Sequence, residues 1–354
     1  MRFIHIADVH LGAVPDEGKP WSDRRKQEIW DTFAEVLETA GQEQVDFVFI
    51  AGDLFHRQPL LRELREVNYL FGRIPEVKIV LMAGNHDYVH PNSYYRTFQW
   101  AENVCFLGGQ ELERVLFPED HLCVTGLSYW KREMREPVYD RAEIEADDPG
   151  MLQVLLVHGG DEKHIPFSPE KLAELGYDYV ACGHIHKPQM LMEQKVVMAG
   201  ALQPIDKNDA GQHGYWMGEL TKRGCVVRFY PIRKCEYVHL PVAVHPEMTN
   251  RELIDKIREI LSYAEPFQIY KFILSGRKNP QTEYDVSQIL AMDQVAGVSE
   301  DFVLDYDFEK LKEIYSDQML GRFIRAMEQK DEDPVSRKAL YYGVDALCRT
   351  MRQL

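Results

Sequence analysis

The chain has 354 residues, 45% of them hydrophobic and 28% charged, and a formal net charge of −16. That length exceeds one ordinary domain, so a large domain with a smaller companion is expected. The acidity argues against a module that coats nucleic acid through net charge. No apolar run reaches the roughly 18 residues of a membrane span.

The chain opens "MRFIHIADVH", with an aspartate and a histidine inside the first ten residues, which reads as a first strand and not as an export signal. Six scattered cysteines (Cys105, Cys123, Cys182, Cys225, Cys235, Cys348) form no C-x-x-C pair, so reduced thiols and a cytoplasmic location are expected.

Short apolar runs then alternate with helical patterns. "RFIHIA" runs into Asp8-Val9-His10, and "RRKQEIWDTFAEVLETA" follows as a helix. "VDFVFIA" ends at Gly52-Asp53, with His56 three residues on, before the helical "PLLRELREVNYLFGRI". "VKIVLMA" ends at Gly84-Asn85-His86-Asp87, and "MLQVLLV" at His158-Gly159-Gly160. "FSPEKLAELG" opens a helix with Ser168 as N-cap and Pro169 at its first position. "YDYVAC" leads into Gly183-His184-Ile185-His186. Strand and helix in alternation imply an α/β fold with a largely buried sheet, whose site lies outside the carboxyl ends of the strands.

The pattern changes near Leu240. "MTNRELIDKIREIL" opens with a capping box, Thr249 and Glu252. "FQIYKFILSG" alternates like a strand, "TEYDVSQIL" reads as a helix, and "DFVLDYDF" as a strand. Two amphipathic helices close the chain, the second with Asp333 as N-cap and Pro334 behind it. The expected organisation is a domain over 1–239, a small α/β domain over 240–315, and C-terminal helices over 316–354.

Each polar residue at a strand end has an ordinary reading alone: Asp8 or Asp53 as a cap, Asn85 in a turn, a histidine as a loop residue. Five strands ending this way together make a ligand set. Asp8, His10, Asp53, Asn85, His158, His184 and His186 are more than one tetrahedral zinc site takes. They suit two cations sharing one carboxylate, with Asp53 the natural bridge. Oxygen and imidazole donors without thiolate fit manganese, iron or zinc. Cys182 reads as a small buried strand residue, and His5, His90, His121, His164, His213, His239 and His245 as surface or packing residues.

The ordered series D-x-H, G-D, G-N-H-D, a lone histidine and G-H-x-H over residues 1–200 resembles the calcineurin-like metallophosphoesterases. The resemblance implies a two-sheet β-sandwich flanked by helices, with a dinuclear site on one edge. Asp8, His10 and His186 then serve one metal, Asn85, His158 and His184 the other, and Asp53 both. In that setting two cations activate water against phosphorus, His86 serves the leaving oxygen, and Asp87 fixes the tautomer of His86.

"GDLFHR" resembles the SbcD-type DNA-repair exonucleases, where the histidine at the position of His56 handles the DNA strand. The stretch "VVMAGALQPIDKNDAGQHGYWMGEL" is similar to the closing strands of the YhaO-type branch. The resemblance implies a manganese-dependent 3′-to-5′ DNA exonuclease, with or without endonuclease activity, a capping domain, an SbcC-like SMC-type ATPase as partner, and a homodimer. A phosphodiesterase or phosphatase acting on nucleotides or other small phosphoesters is the alternative. The C-terminal helices either pack on the cap or dock the ATPase. Arg24, Arg25, Arg57, Arg96, Lys131, Arg132 and Arg135 are candidate DNA contacts, and Lys187 a candidate phosphate contact.

Overall fold

Strands with apolar residues on both faces need cover on both faces, and the computed structural model, which describes residues 1–144, 150–330 and 333–352, provides it. In chain order the strands of the first unit are β1 (Arg2–Ile6), β2 (Phe47–Ala51), β3 (Lys78–Met82), β4 (Val104–Leu107), β5 (Glu113–Phe117) and β6 (Leu122–Gly126). They continue with β7 (Leu152–His158), β8 (Tyr179–Gly183), β9 (Gln189–Met192), β10 (Val196–Met198), β11 (Gly214–Thr221) and β12 (Gly224–Pro231). One sheet has the order β12-β11-β1-β2-β3-β4 and the other β5-β6-β7-β8-β10-β9. Both are mixed: β1 to β4 are parallel, β11 runs against them and β12 against β11, and antiparallel β5 and β9 flank the parallel centre of the second sheet.

Alternation along each strand divides the burial. Phe3, Phe47, Phe49, Val80, Val154, Leu156 and Tyr179 pack between the sheets. Ile4, Ile6, Val48, Ile50 and Leu81 pack outward against helices α1 (Ser22–Gln42) and α2 (Leu61–Gly72), through Ile29, Phe33, Val36, Leu64 and Val67. The second sheet turns Leu155, Val157, Val180 and Cys182 to its own outer core with Tyr129, Tyr139 and Leu172, the last from the short helix α3 (Pro169–Glu174). Cys182 is thus a packing residue. Each large apolar side chain buried this way contributes about 1.5–3 kcal/mol. His5 points into the sandwich, where its Nδ1 lies 3.0 Å from the hydroxyl of Tyr179.

The parallel registers bring strand ends level. Ile6 pairs with Ile50, Ala51 with Met82, and His158 with Gly183. The residues after these positions therefore emerge along one edge of the sandwich.

The chain divides into a unit of Met1–Tyr237 and a second of Val238–Leu354. The second is built around β13 (Glu236–Val244), β14 (Gln268–Lys278) and β15 (Val295–Leu304), with helices α4 (Asn250–Ser262) and α5 (Val286–Leu290). Val242, Leu253, Ile257, Phe272, Leu274 and Val295 form its core. The capping box forms: the Glu252 amide donates to Thr249 Oγ1 at 3.3 Å, and the Thr249 amide to Glu252 Oε2 at 2.8 Å.

The last strand starts earlier and ends sooner than "DFVLDYDF" suggests. Parallel pairing with β14 recruits Val295 onward, and Asp307 accepts from the Lys310 amide at 3.0 Å, which starts helix α6 (Phe308–Ile314). Helices α7 (Met319–Glu328) and α8 (Pro334–Arg352) follow, with Asp333 accepting from the Ser336 amide at 3.1 Å. Leu320, Ile324 and Val344 close a small core with Phe308, Phe323 and Leu347. The C-terminal helices over 316–354 lie within the second unit. No helix among the described residues is long and apolar enough to cross a membrane.

Candidate metal centre

Backbone strain marks the edge where the strand ends meet. Asp8, His10, Asp53 and His184 have φ of 50°, 53°, 51° and 97°, a region that side chains other than glycine avoid at a cost of about 1–3 kcal/mol each. Such geometry persists only where the surroundings enforce it. Here it turns four polar side chains inward immediately after three different strands. Gly84 permits the approach, because a Cβ there would land on Asp53 Oδ1.

Among the described residues four groups of ligand-type atoms result. Two gather His10 with His56 and His86, and His184 with Asp161 and His164, and the other two unite strand-end carboxylates with imidazoles. Asp8, His10 and His186 bring one atom each to within 4.8 Å of one another, and so do Asp53, His158 and His184. In the first group His10 Nε2 lies 3.1 Å from His186 Nε2. In the second, Asn85 Oδ1 lies 3.0 Å from both His158 Nε2 and His184 Nδ1. Asp53 Oδ2 sits between the groups, 3.5 Å from His158 Nε2 and 3.8 Å from His10 Nε2.

Hydrogen bonds on the outer side decide which ring nitrogen faces inward. His158 Nδ1 donates to the Ala51 carbonyl at 2.8 Å, which leaves Nε2 toward Asn85 and Asp53. His186 Nδ1 donates to Asp209 at 3.1 Å and His184 Nε2 to Asp161 at 2.8 Å. Three imidazoles thereby turn their other nitrogen into the cluster, the one that can ligate a metal when it carries no proton.

The electrostatics also call for cations. Asp8, Asp53, His10 and His158 are essentially buried. Asp8 is pushed up to about 6 by burial, which outweighs the pull of His158 and His186. Burial also works to raise Asp53, yet His158, by charge and hydrogen bond, and then His10 and His86, hold it well below the usual carboxylate range. His158 is raised to about 9: burial opposes its charge, and Asp53 overcomes that opposition. Among the described residues Asp8 Oδ1 has no hydrogen-bond partner despite full burial. A buried carboxylate oxygen left so is costly unless a positive charge meets it. The donor set and that orphaned oxygen fit divalent cations.

The model of the family described as calcineurin-like phosphoesterase matches residues 1–188, more than half of the chain. The chain belongs to the calcineurin-like phosphoesterase family. Its mixed two-sheet architecture matches the fold of this phosphoester-hydrolysing family. It is 30% identical over 241 residues to the uncharacterized metallophosphoesterase YhaO of Bacillus subtilis, which covers 62% of this chain and 58% of that protein. It is also 30% identical over 196 residues to the DNA double-strand break repair protein Mre11 of Methanocaldococcus jannaschii, covering 53% of this chain and 52% of the relative. The protein of the same name from Archaeoglobus fulgidus is 26% identical over 249 residues, covering 62% and 54%. The chain spans little more than half the length of these curated relatives.

Around this cluster the remaining expected residues divide. His86 and His56 stack at its mouth, with ring centroids 5.1 Å apart, and both approach His10. Asp87 does not touch His86. It is buried and accepts from the amides of Gly84 (2.8 Å) and Phe55 (3.1 Å) and from the Tyr95 hydroxyl (2.8 Å), while His86 Nδ1 donates to the His56 carbonyl at 2.9 Å. Asp87 therefore pins the loop. Arg25 is also misplaced as a DNA contact: it is fully buried and bonds Glu28, Gln203 and the Pro204 carbonyl.

Arg57 pairs with Glu63 through two bonds of 3.1 and 2.7 Å, and Arg24 lies 3.4 Å from Glu28. Lys187, Arg96, Lys131, Arg132 and Arg135 are exposed. Three residues went unread as part of the site. Asp161 and Asp209 back His184 and His186, and His164, expected to be a surface or packing residue, lies with its ring 4.4 Å from that of His184 and shares Asp161 with it. The available signal was the aspartate three residues after His158 in "HGGDEKH".

Proposed function

We propose that the protein is a two-metal DNA nuclease, a manganese-dependent exonuclease with or without endonuclease activity, acting in repair beside an SbcC-like ATPase. The observation that carries the two-metal reading is Asp53, whose Oδ2 approaches both the buried His158 of its own ligand group and the buried His10 of the other. The relatives named as DNA double-strand break repair proteins support DNA as the substrate. Asp8, His10 and His186 would hold one ion, and Asn85, His158 and His184 the other, with Asp53 shared. Bound there, the pair supplies a polarised phosphate and an activated water.

The chain's own residues perform the rest. His86 donates a hydrogen bond through its Nδ1–H to the His56 carbonyl. Its Nε2 can therefore donate to a leaving oxygen only when the ring is fully protonated. His56, stacked on His86, borders the path of a strand entering the cluster. Lys187 and Arg57 lie one residue beyond His186 and His56 and offer positive charge to flanking phosphates, Arg57 while its guanidinium is paired with Glu63.

Exposed Met319, Val335 and Tyr342 on α7 and α8 support docking of the ATPase there. Val335→Glu with Tyr342→Glu should abolish co-purification with that ATPase; retention would defeat the docking role. With manganese, the protein should degrade a labelled duplex and also turn over bis-p-nitrophenyl phosphate. Turnover of the small ester without DNA cleavage would favour the alternative, a phosphodiesterase of nucleotides or other small phosphoesters, which the acidic net charge of −16 favours.

A further inference from the structure

The two histidines of "GHIH" are backed by carboxylates from different loops, and the two carboxylates are used differently. Asp161 divides its oxygens. Oδ1 accepts from the amides of Lys163 (2.7 Å) and His164 (3.0 Å), and Oδ2 accepts from His184 Nε2 at 2.8 Å. His164 Nδ1 lies 2.9 Å from both oxygens. Asp209 instead concentrates its acceptance on one oxygen. Its Oδ2 takes the amides of Ile205 (3.0 Å) and Asp206 (3.1 Å) together with His186 Nδ1 (3.1 Å). Each carboxylate addresses one ligand group: His184 faces Asn85 and His158, while His186 faces His10.

We propose that Asp161 and Asp209 are separate positioning residues, each fixing the tautomer and ring direction of one histidine, so that the affinities of the two ions are set by different loops. The inference rests on the two-metal reading above. Outer carboxylates of this kind are worth about 10–100-fold in metal affinity.

The difference in oxygen usage gives a test that simple loss of packing would not reproduce. In Asp161→Asn the single carbonyl oxygen serves the two loop amides, and the amide nitrogen meets His184 Nε2. Two donors then face each other, which favours the tautomer carrying its proton on the inward Nδ1. In Asp209→Asn the carbonyl oxygen can keep all three bonds. Isosteric changes should therefore have unequal effects.

Stepwise titration of the intact protein with manganese alone, by calorimetry, reads both dissociation constants, and thermal unfolding reports folding. Asp161→Asn and Asp161→Ala should each weaken one ion about 10–100-fold. Asp209→Ala should weaken the other to a similar degree, and Asp209→Asn should stay within about threefold of the parent. Asp161→Asn retaining parental affinity for both ions, or Asp161 and Asp209 variants loosening the same ion, would overturn the proposal. A parent protein binding fewer than two ions would bring down the two-metal reading and this inference with it, whereas unaltered variants of a two-ion parent overturn the inference alone.

Discussion

The two units of the chain are put together in different ways. Of the ten non-glycine residues with positive φ among the described residues, nine lie in the first unit and four of those are Asp8, His10, Asp53 and His184; the second unit contributes only Gln294. The first unit also buries charged or titratable groups at its strand ends, where Asp8, Asp53, Asp87, His10 and His158 are all inaccessible or nearly so. The second relies on local signals: the Thr249 capping box and aspartate caps at Asp285, Asp307 and Asp333. The difference teaches that strain and buried charge mark where this fold is organised around chemistry, and propensity marks where it is organised around folding.

The predictions press on that contrast. Asp53→Asn removes the shared carboxylate, and turnover of bis-p-nitrophenyl phosphate with manganese should fall by at least ~10⁴-fold. Residual turnover above a tenth of the parent would mean Asp53 is not central. His86→Ala should lower turnover about a hundredfold while manganese binding, followed by calorimetry, stays as in the parent. An equal loss of binding would make His86 a ligand.

His5 sharpens the contrast through pH. Burial depresses it from the ordinary 6.5 to about 3. Between those values the unfolded chain carries a proton that the folded chain lacks, so stability rises with pH and is lost as pH falls. His5→Gln should make the slope of unfolding free energy on pH shallower by about 1.4 kcal/mol per pH unit, measured by urea unfolding between pH 6 and 4. An unchanged slope would show that His5 is protonated when folded.

The smallest effect belongs to the second unit. Thr249→Ala should cost about 1 kcal/mol of stability and leave turnover of the small ester untouched. A change in that turnover would break the separation of roles.

The sequence showed the strand ends clearly because apolar runs of strand length stop at Asp8, Asp53, Asn85, His158 and His184. It was less informative about what stands behind them. Asp161 sits in a turn it makes itself, accepting from the amides of Lys163 and His164, so locally it reads as a turn residue. Asp209 lies 23 residues from His186, and only the fold joins them. Asp87 was misread because adjacency in sequence does not give a shared direction: its carboxylate goes to Gly84, Phe55 and Tyr95, away from His86. Arg25 was misread by charge, although it falls on the same helix stripe as Ile29 and Phe33 and is buried with them. Of the second unit, capping chemistry was legible at Thr249 and Asp333, while the true span of β15 depended on its parallel partner β14.

Anomalous diffraction at the manganese edge, from crystals soaked in the metal, bears most directly on the centre. Two peaks should appear, one among Asp8, His10 and His186, the other among Asn85, His158 and His184, with the Asp53 carboxylate touching both. A single peak at saturating manganese, or none at these strand ends, would contradict the two-ion centre.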